Sequence, residues 1–112
     1  MVDAAAGSAG GGKMKTLTLS LKKHWFDMIK AGIKKEEYRE RKDYWINRFY
    51  HSMNPDGTSC KYNRIVFTLG YPKAGNTERR LTFKNPRIRI GTGKPEWGAE
   101  PGEFYFVISW EE

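Results

Sequence analysis

Leu17, Leu19 and Leu21 alternate with Thr18 and Ser20, the period of a strand with one buried face. The pattern then changes. Trp25, Phe26, Met28 and Ile29 recur at helical spacing, and Gly32 supplies a stop, because glycine accepts the left-handed conformation that ends many helices. Lys35 to Glu40 returns to an extended reading, with Tyr38 its one good core residue. Asp43 is placed to cap a short helix presenting Trp45, Ile46 and Phe49. His51 to Asn63 is polar and holds Pro55-Asp56-Gly57, a strong turn signal, so an exposed loop is expected. Strands follow at Arg64–Leu69, at Arg79–Phe83 after a Gly75-Asn76 turn, at Arg87–Ile90, and at Phe104–Trp110. About six strands with two or three short helices predict a mostly β, barrel-like domain, α+β on a looser count.

Residues 1–13 are rich in Gly and Ala and lack large apolar groups, so they read as a flexible tail or leader, with Met14 a plausible start. Residues 14–112 are then a single domain. Its size allows a modest core without disulfides. Cys60 is the one cysteine, which excludes an intrachain disulfide and fits a reducing, cytoplasmic setting. No apolar run approaches the roughly 18 residues of a membrane span, so no membrane partner is expected.

Charge changes the picture more. Lys and Arg total 20 against 13 Asp and Glu, a net +7. The excess is uneven: residues 13–50 hold 11 Lys/Arg and 5 Asp/Glu, whereas 51–112 hold 9 and 7. Such a bias favours a polyanionic partner, since neutralising phosphates releases counterions. A basic, merely soluble surface is the alternative.

The densest charge is GIKKEEYRER, Gly32 to Arg41, with four basic and three acidic side chains around one tyrosine. On a strand, Glu37 and Arg39 share a face and Tyr38 takes the other. Lys34 lies where helix hands over to strand, within reach of the same area. Arg39 can hold a phosphate or carbonyl by a two-pronged hydrogen bond. Lys34 offers a point charge, or a base if burial lowers its pKa. Glu37 can orient Arg39 or accept a proton. Mixed charges that simply keep an edge strand soluble are the competing reading.

The spacing Gly32-x-Lys34-x-x-Glu37-x-Arg39 resembles the signature of the ASCH family (activating-signal-cointegrator homology domains, with a PUA-like fold). The context is similar too: LTLSL as a leading strand, HWFDMIKAG as a helix, then the motif. FTLGY and GTGKPEWGAEPGEFYFVISW resemble the small stand-alone bacterial and phage-type members, so the likeness runs over roughly residues 16–110. It implies a β-barrel with a cleft beside the motif and an association with RNA binding or RNA-directed chemistry. Lys34, Glu37 and Arg39 become cleft residues, catalytic if the protein is an enzyme, and Gly32 makes the turn. One branch hydrolyses acetylated cytidine with a threonine where this chain has Glu37, which argues against that nucleophile here. The expected partner is single-stranded RNA or a nucleotide-derived ligand. The alternative is a metal-independent hydrolase, a ribonuclease or an amidohydrolase, in the same cleft.

Trp25, Tyr71 and Trp97 are candidates to stack on bases. Trp25 also starts an apolar helix, and Trp97 sits in the Pro95–Gly102 loop, so burial and loop anchoring compete. Lys22, with Lys23, is placed for phosphate contacts, and Ser20 for a hydrogen bond to ligand. Arg79, Arg80, Arg87 and Arg89 extend a basic track or occupy exposed strand faces. Gly91-Thr92-Gly93-Lys94 lacks P-loop spacing and reads as a turn. His24 and His51 lie apart, and no metal spacing, serine or cysteine triad motif or cofactor motif is present.

Overall fold

The computed structural model describes residues 14–53 and 60–112. The tail expected at 1–13 and the Pro55-Asp56-Gly57 turn lie outside the described residues. Among those described, five strands and two α-helices follow in the order β1 (Thr16–Leu21), α1 (Lys23–Lys30), β2 (Glu37–Arg39), α2 (Asp43–Phe49), β3 (Arg64–Leu69), β4 (Arg80–Thr92) and β5 (Phe104–Glu111). Short 3-10 turns occupy Thr77–Arg79 and Pro95–Trp97.

The strands form one mixed sheet in the order β1-β3-β4-β5-β2. β1 runs parallel to β3, and the other neighbours are antiparallel. The expected barrel is therefore corrected to an open α+β sheet, because β1 and β2 are its two edges and no ladder joins them. β2 gives the reason. It has only three residues, which pair with β5, and it reaches β1 through a side chain rather than through backbone.

Two expected strands, Arg79–Phe83 and Arg87–Ile90, merge into the 13-residue β4. Its register against β5 slips between Lys84 and Arg87. There Asn85 takes a φ of 50° and donates its N–H to the Asn63 carbonyl at 2.9 Å. Pro86 is buried beside it. Proline has no N–H for a ladder and is tolerated at a bulge. The bulge rephases the strand. Lys84 pairs with Glu111 and Arg87 with Ser109, so both side chains leave the sheet on the same side.

The inner face carries the core. Leu17, Leu19 and Leu21 of β1, Ile65 and Phe67 of β3, Ile88 of β4 and Phe106 and Ile108 of β5 pack against Phe26, Ile29 and Phe49 of the two helices. Each such side chain contributes roughly 1.5–3 kcal/mol when fully buried. Tyr38, expected in that core, belongs instead to a smaller cluster on the outer face with Ala99, Tyr105 and Val107. Alternation along β2 sends it there.

Helix α1 ends as its glycine requires. Gly32 sits at φ 77°, its N–H reaches the Ile29 carbonyl at 3.0 Å, and Ile33 N–H reaches Met28 at 2.9 Å. These two bonds form the Schellman closure. The chain then turns back beneath the helix, carrying Lys34. At α2, Asp43 is the first helical residue rather than the cap, which is Lys42 without a side-chain bond. Its carboxylate still complements the positive end of the helix dipole. Met53 and Cys60 form an isolated bridge and pack against the core.

Candidate functional site

The Gly32 turn and the pleat of β2 bring Lys34, Glu37 and Arg39 into one chain of contacts. The Lys34 ammonium lies 3.1 Å from Glu37 Oε1 and donates to the Trp97 carbonyl at 2.6 Å. It also sits over the Trp25 ring at 4.8 Å and the Tyr38 ring at 4.9 Å. Lys34 is only 1% exposed. Burial holds its pKa below the usual lysine value, with the Glu37 charge opposing the shift. The other Glu37 oxygen, Oε2, accepts from Arg39. Arg39 further donates to the Tyr38 carbonyl at 3.0 Å and, across the sheet gap, to the Ser20 carbonyl at 3.1 Å. Three of the roughly five guanidinium N–H groups are thereby engaged.

The gap between the sheet edges opens into a cleft of about 1040 Å³. One wall is the edge of β1, including Thr18, Ser20 and then Lys22. The facing wall is Glu37 and Arg39 with Tyr44, Trp45 and Arg48 of α2. Arg39 and Arg48 both lie against the Trp45 ring, at 5.3 and 5.8 Å. Arg48 also donates to the Thr18 carbonyl at 3.3 Å and to the Tyr44 hydroxyl at 3.2 Å. Two guanidinium groups thus cap outward-facing carbonyls of β1, where a closed barrel would place another strand. Trp25, Thr68, Tyr71 and Arg80 complete the rim. Tyr71 is 95% exposed, and Tyr44 is exposed as well. Arg80 is tied to the carbonyls of Pro72, Lys73 and Asn76 and so braces the loop that carries Tyr71.

The expected residues separate into three groups. Ser20, Lys22, Trp25, Glu37, Arg39 and Tyr71 line the cleft. Gly32 and Lys34 lie behind it, Gly32 in the turn and Lys34 under Glu37. Trp97 is not among the lining residues. Its carbonyl serves Lys34, while its ring lies under the Lys94 ammonium at 4.6 Å. Gly91-Thr92 ends β4, and Gly93 packs against Tyr38. Tyr44, Trp45 and Arg48 enter the site from α2, where spacing suggested only a core helix. The available signal was the i, i+4 pair Tyr44/Arg48 flanking a tryptophan directly after the motif.

Chemically the cleft offers guanidinium donors, one buried carboxylate and exposed aromatic faces. Among the described residues no group of three His, Cys, Asp or Glu could hold a metal ion, and no helix is long and apolar enough to cross a membrane. No family profile, curated protein or solved structure matches this chain.

Proposed function

We propose that the cleft between β1 and β2 binds single-stranded RNA or a nucleotide-derived ligand. The observation that carries this reading is the pairing of Arg39 and Arg48 with exposed Tyr44 and Tyr71 around one open cleft. Unpaired bases stack on aromatic faces at about 1–3 kcal/mol each, and guanidinium groups take phosphates in two-pronged bonds. Glu37 supplies an acceptor for base amino or imino donors, which discriminates among bases where stacking does not. The resemblance of Gly32-x-Lys34-x-x-Glu37-x-Arg39 to the ASCH signature supports the same reading. The sheet here is open where that family's barrel would close, and the Arg39 side chain spans the gap between β2 and β1.

Fluorescence anisotropy with a labelled oligouridylate tests it. Binding should weaken steeply with salt, and Arg39→Ala should lose about 1.5–3 kcal/mol, the range for hydrogen bonds to a charged group. Unchanged binding by Arg39→Ala would sink the proposal.

A hydrolytic reading draws on one observation, a buried lysine of lowered pKa beside a carboxylate, an arrangement common at proton-transfer sites. Because the Lys34 ammonium lies behind Glu37, Glu37 is the group a substrate would meet. Incubating RNA or acylated cytidine and following the mass decides between the two. Product formed by the wild type and lost in Glu37→Gln selects the hydrolase, and no product leaves a binding module.

A further inference from the structure

We infer that the outer face of the β1-β3-β4 half-sheet is a second surface, one that carries the phosphate backbone of an RNA longer than the cleft. The inference rests on the cleft being an RNA site and adds the path of the chain outside it. Register defines the face. Thr16, Thr18 and Ser20 of β1 pair in turn with Arg64, Val66 and Thr68 of β3. These pair with Lys84, Thr82 and Arg80 of β4. Directly opposed residues point to the same side, so all nine side chains share one surface.

The bulge at Asn85-Pro86 enlarges it. Lys84 and Arg87, three apart, would point to opposite sides of an unbroken strand, but the extra residue turns both outward with Arg89. Arg89 pairs with Glu36 at 3.3 Å. Among the described residues Lys84 and Arg87 have no ion-pair partner within 4 Å. Arg64 is engaged by the Thr16 hydroxyl, at 2.9 and 3.1 Å.

Arg64 and Lys84 stand directly opposite each other. Like charges so placed destabilise a sheet. A ligand of opposite charge would relieve that repulsion. Among the described residues Glu111 stands opposite Lys84, and its carboxylate accepts from Asn85 at 3.0 Å. Beyond the cations the surface offers hydroxyls, with Val66 its half-buried apolar member. Cations interleaved with Ser and Thr hydroxyls suit phosphate oxygens and give little to an apolar partner. The surface also runs into the cleft without a break, because Thr18, Ser20, Thr68 and Arg80 belong to both. At the other end the Tyr38-Ala99-Tyr105-Val107 cluster covers the face, which limits the track to the first three strands of the sheet and the rephased part of β4.

The test compares a trinucleotide, which occupies the cleft alone, with a long oligouridylate, using the full chain. The triple variant Arg64→Ser, Lys84→Ser, Arg87→Ser should bind the trinucleotide as the wild type does. It should bind the long oligomer more weakly, with a log–log salt slope smaller by about 2, at about 0.7 per single-strand phosphate released. An unchanged slope overturns the inference, as does a wild type whose affinity does not rise with oligomer length. A wild type that binds neither probe removes the cleft reading itself, and this extension with it. Thr82→Glu keeps the question open to refutation if the triple variant is unfolded. It places a negative charge amid the row and should weaken only the long oligomer, and equal loss for both probes overturns the proposal. Equal affinity for polyglutamate, with equal sensitivity to the triple variant, overturns RNA as the occupant.

Discussion

The buried Lys34–Glu37–Arg39 chain makes a prediction about stability that can be worked from its geometry. Glu37→Gln removes the one anion between two cations, one of them an ammonium 1% exposed. Breaking a buried pair by deleting one partner costs about 3–5 kcal/mol, because the surviving charge remains without compensation. Lys34→Met is different. It keeps most of the aliphatic stem against Trp25 and Tyr38, removes the ammonium whose burial is unfavourable, and leaves Glu37 paired with Arg39. Its main loss is the 2.6 Å bond to the Trp97 carbonyl and the ion pair at 3.1 Å. An acceptor left unsatisfied costs roughly 1–3 kcal/mol, which sets the expected total for this variant. The order follows: Glu37→Gln is the more damaging single change. The double variant, with the ammonium gone, should be more stable than Glu37→Gln alone. Urea unfolding measures this directly. With a slope of about 1–3 kcal/mol per molar, Glu37→Gln should move the midpoint down by roughly 2 M. A double variant no more stable than Glu37→Gln would refute the claim that the ammonium is the group left stranded.

The same chain predicts the alkaline stability profile. Burial holds the folded pKa of Lys34 below the usual 10.5, so in the window beneath 10.5 the unfolded chain binds more protons and stability rises with pH. Relative to Lys34→Met, the wild type should gain stability as pH climbs toward 10.5, and a flat difference would contradict the assignment. Burial raises Tyr38 from 10.0 to about 12, so the sign reverses: between pH 10 and 12 the unfolded chain loses the proton first and stability falls. Urea melts of Tyr38→Phe should lack that fall. Gly93→Ala is a packing prediction, since a Cβ there would lie 2.5 Å from the Tyr38 ring and 2.8 Å from the Ala99 Cβ. Overpacking of this kind costs about 1–3 kcal/mol, and a variant as stable as the wild type in urea would show that the outer cluster is loosely packed.

Short-range pattern made the elements legible and long-range contact hid the rest. The leucine alternation of β1, the helical recurrence after it and the glycine at its end are local rules, and each holds. Tyr38 faces away from Glu37 and Arg39, as the pleat requires. No local rule, however, buries Lys34. Its surroundings come from Trp25, Tyr38 and Trp97, the last 63 residues away. The fusion of two strands into β4 was equally hidden, because an Asn-Pro pair reads as an interruption and becomes a bulge only when Asn63 receives the Asn85 N–H. Trp45 looked like a core residue because its spacing with Phe49 is helical. The ring does lie against Phe49 at 5.2 Å, yet it also supports both guanidinium groups at the cleft.

That double use of Trp45 bears on how an open sheet edge can be both protected and available. An uncovered edge strand is a template for pairing with other chains, and a further strand would normally cover it. Here Arg39 and Arg48 cap the carbonyls of Ser20 and Thr18, so the edge is blunted by charge. The β1 carbonyls they hold are neutral acceptors, and Arg39 also holds the Glu37 carboxylate. A phosphate in the cleft is an ionised acceptor, and it adds to the guanidinium bond a charge–charge attraction and a two-pronged geometry that a neutral carbonyl lacks. A phosphate therefore competes favourably for the guanidinium groups that otherwise cover the edge, whereas an uncharged strand approaching β1 meets donors already engaged and a positive field. The side chains that keep β1 from pairing are thus the ones best suited to take the ligand, which ties the open sheet to the function proposed for its gap.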